Sequence, residues 1–202
     1  MPQAKLHPDP RPIAAIRLDG GRPCLDFVNS IHDRYAAEVE DYIATPERFI
    51  EWCLRAGVLG PHEDIATPVS TAERATLMRK VRALRQHLHT LLASRIDGLT
   101  PPEEAVRHID QWLHRAWANQ SFGSDGRMHW RGDAFDVLLP LQRVALDALD
   151  LINATPAGQL RRCDNVSTCG WLFLDTSKNQ RRRWCAMETC GTEFKMGRYR
   201  RA

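Results

Sequence analysis

Four cysteines near the C-terminus are the residues best suited to chemistry in this sequence. Cys163, Cys169, Cys185 and Cys190 form two close pairs, spaced C-x5-C and C-x4-C, with fifteen residues between the pairs. Two short loops of this kind can direct four sulfur atoms at one ion, and thiolates bind Zn²⁺ in a tetrahedron at about 2.3 Å. Four cysteine ligands leave no position for water, so such a metal is structural. We therefore expect one structural Zn²⁺ held by these cysteines.

Two alternatives compete with this metal site. The cysteines could form two disulfides, or they could be unrelated buried thiols, because free cysteine often serves as a small apolar core residue. Disulfides require an oxidising compartment, and residues 1–8 lack the apolar run of a secretory signal. The other two cysteines, Cys24 and Cys53, lie in apolar stretches and are expected to be core thiols.

Charge is distributed unevenly along the 202 residues, whose formal net charge is +3. Residues 161–202 contain ten Lys and Arg against four Asp and Glu, whereas the preceding residues carry a small acidic excess. A surface that binds a polyanion is therefore expected near the C-terminus. The composition, 43% hydrophobic and 26% charged with no long apolar run, predicts a globular cytoplasmic protein that does not enter a membrane.

The residues upstream of the cysteines predict mainly helix. Thr45-Pro46 is a helix start, with threonine as N-cap and proline in the first turn, and Ser70 with Glu73 forms a capping-box pattern. The helix that begins at Ser70 is predicted to be the longest and to end at Gly98. Further helices are predicted from Pro23, from Thr100 and from Asp133 to Ile152, the last kinked or split at Pro140.

The non-helical segments complete the predicted architecture. Ile13 to Leu18 is expected to be a short strand, and residues 121–131 a hairpin. The predicted fold is mainly α with a small β-hairpin, a helical N-terminal domain followed by a small zinc-binding α+β finger. Its divisions are a proline-rich flexible leader (residues 1–12), the helical domain (residues 13–155) and the finger (residues 159–202), with a hinge near Asn153 to Gly158.

Within the helical domain, two sets of polar residues could have a function. Asp26 and Asn29 lie three apart in an apolar segment, where they could satisfy buried backbone groups or contact a ligand. The long helix has a basic face that is expected to be solvated, with a nucleic-acid groove as the alternative. No HExxH, GxSxG, P-loop or GxGxxG pattern occurs, so no enzyme is expected. The basic face comprises Arg74, Lys80, Arg82, Arg85, His87 and Arg95.

The segment between the two cysteine pairs is rich in aromatic residues. Gly170 to Leu174 predicts a strand, residues 175–179 a turn, and Arg182 to Trp184 a return that delivers Cys185. Trp171, Phe173 and Trp184 are expected to cover the metal. A module of this size has little core of its own, so metal binding, worth roughly 10–16 kcal/mol in small zinc peptides, would supply much of its stability.

This arrangement resembles the bacterial CGNR zinc-finger proteins, whose N-terminal part is called the ABATE domain. The resemblance spans nearly the whole chain and implies a mostly helical N-terminal domain, a zinc-bound finger and a role in stress-induced transcription regulation. One departure is Thr192-Glu193, which stands where the family has Asn-Arg after Cys-Gly, and an acid here would repel phosphate. The shared features are Cys24 to Ser30, Cys163, Cys169, Gly170 to Ser177, Arg183 to Cys185, Met187 and Cys190-Gly191.

The basic residues after Cys190 indicate that the partner of the protein is a polyanion such as DNA. If this tail is helical, Lys195, Arg198 and Arg201 recur every three positions on one face. We therefore expect a DNA-binding transcription regulator whose helical domain senses a small-molecule ligand or forms a homodimer. The alternative is a zinc-stabilised protein-interaction module, in which the basic residues only balance the charge of a thiolate-bound ion. The predicted DNA-binding residues are Arg181, Arg182, Lys195, Arg198, Arg200 and Arg201.

Overall fold

The structure is a computed structural model that describes residues 5–6, 11–32, 34, 38–63, 65, 68, 70–131, 136–156, 158–166 and 168–199. Its helices are α1 (Pro23–Val28), α2 (Pro46–Arg55), α3 (Thr71–Ile96), α4 (Glu103–Ala118), α5 (Leu139–Ala154) and α6 (Thr192–Tyr199). A 3-10 turn, Ile13–Ala15, precedes α1, and a π-helical turn, Met187–Gly191, leads into α6. Among the described helices, none is long and apolar enough to cross a membrane.

Short strands connect these helices. In the described residues, β1 (Lys5–Leu6) pairs in parallel with β3 (Glu38–Asp41), which also pairs antiparallel with β2 (Ile31–His32). The strands β4 (Gln120–Phe122) and β5 (Met128–Trp130) form the hairpin predicted between α4 and α5. In the finger, β6 (Leu160–Arg162) pairs antiparallel with β7 (Leu172–Leu174), and Leu160 lies opposite Leu174.

Local sequence signals explain where the main helices begin and end. The Thr45 hydroxyl accepts a hydrogen bond from the Arg48 amide at the start of α2, with Pro46 in the first turn. At the start of α3, Ser70 and Glu73 form both bonds of a capping box. Just beyond the end of α3, Gly98 has a φ of 68°, which glycine adopts without a side-chain clash.

One continuous set of buried apolar side chains joins the helical domain to the finger. On α3, Val81, Leu84 and Leu88 are fully buried, because residues three or four apart share one face of a helix. The same cluster extends to Leu172 and Phe173 of β7, which are also fully buried. The finger therefore packs against the helical domain and shares its core.

The structure corrects two predicted elements. Ile13 to Leu18 is not a strand: it begins with a 3-10 turn, and Ile13 and Ile16, three residues apart, are both buried on one side of it. The last large helix begins at Leu139, so Pro140 lies in its first turn and does not kink it. A proline is tolerated there because its missing N–H would have no partner within the helix. The first residues predicted for this helix, and most of the predicted leader, lie outside the described part.

The burial of Arg85 also differs from the prediction. Arg85 was expected on the solvated face of α3, but it is only 2% exposed. Its guanidinium donates to both carboxylate oxygens of Asp41 at 2.7 and 2.6 Å and to the Ser30 hydroxyl at 2.8 Å. A buried charge requires such partners, so Arg85 is part of the interior. In addition, four large apolar side chains of α2, α4 and β5 are substantially exposed: Leu54, Val106, Trp117 and Met128.

Candidate metal centre

The structure brings the four predicted cysteines into one cluster. Their Sγ atoms all lie within 4.8 Å of one another. Cys185 Sγ is 3.6 Å from Cys169 Sγ and 3.6 Å from Cys190 Sγ, and all four residues are buried free thiols. Sulfur atoms that share a tetrahedral Zn²⁺ at about 2.3 Å lie about 3.8 Å apart. The chemistry and spacing of the donors therefore fit a tetrahedral zinc ion.

The first cysteine pair lies in the loop of the β6–β7 hairpin. The Cys163 amide donates to the Trp171 carbonyl at 2.8 Å, which continues the pairing of the strands. The amides of Cys169 and Gly170 then donate to the Asn165 carbonyl at 2.9 and 3.2 Å, and Gly170 has a φ of 67°. These bonds fold the loop back so that both sulfurs of the pair point into the cluster.

The second pair is delivered by a loop built around Asp175. The fully buried Asp175 carboxylate accepts from the amides of Ser177 and Arg182 at 3.0 and 2.8 Å. Residues 182–184 do not pair with β7, whose strand partner is β6. The Arg183 carbonyl accepts instead from the Asp164 amide at 2.9 Å. Cys185 follows the loop, and Cys190 lies in the π-helical turn.

Arg182 was predicted to bind DNA, but its side chain is used within the finger. Its Nε donates to the Trp184 carbonyl at 2.9 Å, and its Nη2 donates to the Cys185 carbonyl. The guanidinium also lies over the Phe173 ring, 4.7 Å from its centroid. These contacts fix the backbone of a cysteine of the cluster.

The other predicted DNA-binding residues have different positions. Arg181 and Lys195 are exposed. Arg198 lies on α6, but its side chain is outside the described part, as are Arg200 and Arg201 entirely. The tail is helical from Thr192 to Tyr199, which meets the condition under which the basic residues were predicted to recur on one face.

Glu193, the acid that departs from the family pattern, is engaged by the first cysteine loop. Its carboxylate accepts from Asn165 Nδ2 at 2.8 Å and from the Thr168 hydroxyl at 3.1 Å. It therefore joins α6 to the loop between Cys163 and Cys169. The sequence did not indicate this role, because the partners are separated by more than twenty residues.

Contacts within the cluster shift the pKa values of its thiols in opposite directions. The pKa of Cys163 is lowered because Cys169, Cys185 and Cys190 can all donate hydrogen bonds to its thiolate. The pKa of Cys169 is raised by the same set of contacts, with burial adding to the effect. Four neighbouring thiolates repel one another, so the cluster releases all its protons when a cation binds and neutralises the negative charge.

Asp26 and Asn29 contact backbone groups. Asp26 Oδ1 accepts from the Gly20 amide at 2.8 Å, and burial raises the pKa of Asp26 to about 7. Asn29 reaches into the finger, where its Nδ2 donates to the Leu172 carbonyl at 2.7 Å and its Oδ1 accepts from the Leu172 amide at 2.9 Å. Nothing near Asn29 in the sequence indicates this distant partner.

Two clefts flank the thiol cluster. A cleft of about 300 Å³ opens between the helical domain and the finger, and its walls include Cys185 and Cys190 together with Arg17 and His32 of the helical domain. A second cleft, of about 460 Å³, opens beside Cys163. Four arginines contribute to the walls of the second cleft, which we call the arginine cleft: Arg161, Arg162, Arg182 and Arg183.

The fold and the thiol cluster define a two-domain protein, with a helical N-terminal domain and a C-terminal four-cysteine zinc finger. Residues 21–155 match the ABATE family, described as a putative stress-induced transcription regulator, and residues 159–202 match the CGNR zinc finger. The chain belongs to the ABATE family and carries a CGNR zinc finger. No curated protein matches it.

Proposed function

We propose that the chain is a transcription regulator whose finger is held by one structural Zn²⁺ and contacts DNA through a basic surface. The observation that carries the proposal is the arginine cleft, in which Cys163 of the four-thiol cluster lies beside four arginines. The metal would hold the loops that carry this surface, so binding of the ion and binding of nucleic acid would depend on each other.

The proposed role of the ion is structural and not catalytic. Four thiolates fill the tetrahedron around Zn²⁺ and leave no position for a reacting water molecule. Burial supports this role, because the four cysteines are at most 7% exposed. When bound, the ion cross-links the β6–β7 loop to the turn before α6 and supplies the positive charge that the thiolates need.

The arginine cleft is suited to phosphate because its guanidinium groups are already oriented. Arg183 lies over the rings of Trp184 and Phe194, 4.9 and 5.3 Å from their centroids, and its Nε donates to Asp164 at 2.6 Å. Arg162 donates to Asp97 at 2.9 Å. A guanidinium has five N–H donors, so one ion pair leaves others available for a phosphate oxygen. Held side chains also lose less rotational freedom when they bind.

The proposed part of the helical domain is to sense a ligand or to mediate association. The cleft between the domains supports ligand sensing, because its volume of about 300 Å³ is at the lower end of the range for small-molecule pockets. Its walls combine the rings of Tyr42 and Trp171 with Arg11 and Asp19, which suits a small polar ligand with an apolar part.

The alternative is a protein-interaction module without direct DNA contact. The observation that favours it is the internal pairing of the finger's arginines. Arg161 pairs with Asp175 at 3.3 Å, Arg162 with Asp97 and Arg183 with Asp164. Each pair lowers the net positive charge that a phosphate backbone would meet.

Metal analysis tests the zinc site. We expect about one equivalent of zinc per chain after purification in metal-free buffers, as one closed four-thiolate site requires. A value below about half an equivalent, with no uptake when zinc is added back, would contradict the four-cysteine site.

Salt-dependent binding to duplex DNA tests the nucleic-acid surface. The double variant Arg162→Ala, Arg183→Ala is expected to bind duplex less tightly and to reduce the salt slope by about one to two units, since each phosphate contact contributes about 0.9 to that slope. The exposed Arg107 on α4 provides the matched control, and Arg107→Ala should leave affinity and slope unchanged. If the wild-type protein binds no duplex at low salt, the interaction module is the better proposal.

A further inference from the structure

Asn29 bonds the helical domain to the central strand of the finger. It caps the C-terminus of α1 and is 4% exposed, and its side-chain amide bonds both the carbonyl and the amide of Leu172 at 2.7 and 2.9 Å. A carboxamide carries one donor side and one acceptor side, as a peptide group does. Asn29 therefore acts on β7 as a one-residue strand, while β6 pairs along the opposite edge.

Other bonds to the finger come from the same stretch of the helical domain. The Leu174 amide donates to the Gly20 carbonyl at 2.9 Å, and Trp171 Nε1 donates to the Ile31 carbonyl at 3.1 Å. Each residue of the segment Trp171 to Leu174 except Phe173 is thus bonded to residues 20–31, and Phe173 is fully buried.

These bonds lie close to the thiol cluster. Trp171 and Leu172 follow Cys169 within three residues, and the Trp171 carbonyl accepts from the Cys163 amide at 2.8 Å. Near the second pair, Arg17 donates to the hydroxyl of Thr189, the residue before Cys190. Residues 17–31 therefore contact the chain next to both cysteine pairs, at the backbone beside the first pair and at the Thr189 hydroxyl beside the second.

We propose that Asn29 is a positioning residue for the metal site, so that zinc affinity is coupled to the structure of residues 17–31 in the helical domain. This inference rests on the proposed zinc site. With β7 fixed by Asn29, the loop between Cys163 and Cys169 is partly ordered before the ion arrives, so less of the binding free energy of the ion is spent on ordering it. This coupling is reciprocal: if a ligand bound at residues 17–31 changes the zinc affinity by some factor, zinc changes the affinity for that ligand by the same factor. Any ligand that reorganises residues 17–31 thus changes how tightly the finger holds its metal.

The test compares zinc affinities of full-length variants by competition with a chromophoric chelator. Asn29→Ala removes both bonds, and Asn29→Asp keeps the shape but replaces the donor to the Leu172 carbonyl with an acceptor. We expect both variants to bind zinc about 10- to 100-fold more weakly, the usual effect of losing a group that orients metal ligands. Both should still reach one equivalent when zinc is in excess.

Asn119→Ala is the matched control. Asn119, like Asn29, stands at the C-terminal end of a helix, and although it is only partly buried, its Nδ2 donates to Gln142 at 2.9 Å within the helical domain. Its variant should keep wild-type zinc affinity. Wild-type affinity in Asn29→Ala and Asn29→Asp would overturn the inference and leave the zinc site intact, whereas a wild-type protein that binds no zinc would overturn both proposals.

Amide hydrogen exchange of the wild-type protein tests the same coupling without any substitution. Removal of zinc by a chelator should speed exchange in peptides covering residues 20–32, and leave peptides from the middle of α3 unchanged. Equal exchange of residues 20–32 with and without zinc would overturn the inference, even if the Asn29 variants fail to fold.

Discussion

The helical domain and the finger bury their interiors by different means. In the helical domain, α3 to α5 contribute long apolar stripes, of which Val81 and Val144 are fully buried examples. In the finger, the two strands have three residues each, and polar groups such as Asp175 and the four thiols occupy buried positions. Long helices bury enough apolar surface against one another, whereas the finger, as proposed, depends on an ion and a neighbouring domain to compensate its buried polar groups.

The variant with the largest expected effect on this comparison prevents metal binding in the finger. Cys169→Ser should abolish stoichiometric zinc binding and unfold the finger, because zinc binding is worth roughly 10–16 kcal/mol in small zinc peptides. The helical domain should keep most of its helix in far-ultraviolet circular dichroism, while limited proteolysis cuts within residues 159–199.

Cys53→Ala is the control for this variant. Cys53 is a fully buried free thiol on α2, so its loss should lower stability modestly and leave zinc content at the wild-type value. If Cys169→Ser kept a protease-resistant finger, the contrast between the two regions would be wrong.

The next test concerns the one place where the described helical domain buries a full ion pair between side chains. Asp41→Ala would leave the Arg85 guanidinium buried without its carboxylate, which costs about 3–5 kcal/mol. Chemical denaturation should show this loss as a lower midpoint. Glu47→Ala, which breaks the exposed pair with Arg74, should change stability by less than about 1 kcal/mol. Equal effects of the two variants would contradict the buried role of Arg85.

The last test is a pH dependence of stability at Asp26. Its pKa is about 7 in the fold because of burial, compared with about 3.9 in an unfolded chain. The folded state therefore holds a proton that the unfolded chain releases, so this contribution to stability is full below about pH 4 and is lost as pH rises through 7. Asp26→Asn should gain stability relative to the wild type across this window, by up to about 4 kcal/mol.

His89 supplies the opposing control. Burial lowers the pKa of His89 to about 3, so its contribution is present above the unfolded value of about 6.5 and is lost as pH falls towards 3. His89→Gln should therefore become more stable relative to the wild type as pH falls, whereas Asp26→Asn becomes more stable relative to the wild type as pH rises. Denaturation at several pH values, each variant against the wild type, measures both. A difference for Asp26→Asn that does not change with pH would contradict the raised pKa.

The features that the sequence predicted well depend on neighbouring residues. The caps at Thr45 and Ser70, the ends of α3 and the spacing of the cysteines each involve residues close together in the chain, so a local pattern contains the information. The mainly helical fold with a small finger followed from these signals and is what the structure shows.

The features that it did not predict depend on distant residues. The strand partner of β7 is β6 and not the segment after it, Arg85 pairs with Asp41, and Asn29 bonds Leu172. In each case the local sequence is compatible with several partners, and tertiary packing selects one of them. The role of Glu193 was missed for the same reason, since its charge suggested repulsion of a partner while its bonds are to the first cysteine loop.

The position of β7 between β6 and Asn29 also bears on solubility. Its residues, Leu172 to Leu174, are apolar and of high strand propensity, and in the folded chain both of its edges are covered. An uncovered strand of this kind is a template for pairing with other chains. With the proposed ion in place, the ion and the helical domain together keep this strand covered, so we expect depletion of zinc to promote self-association of the chain.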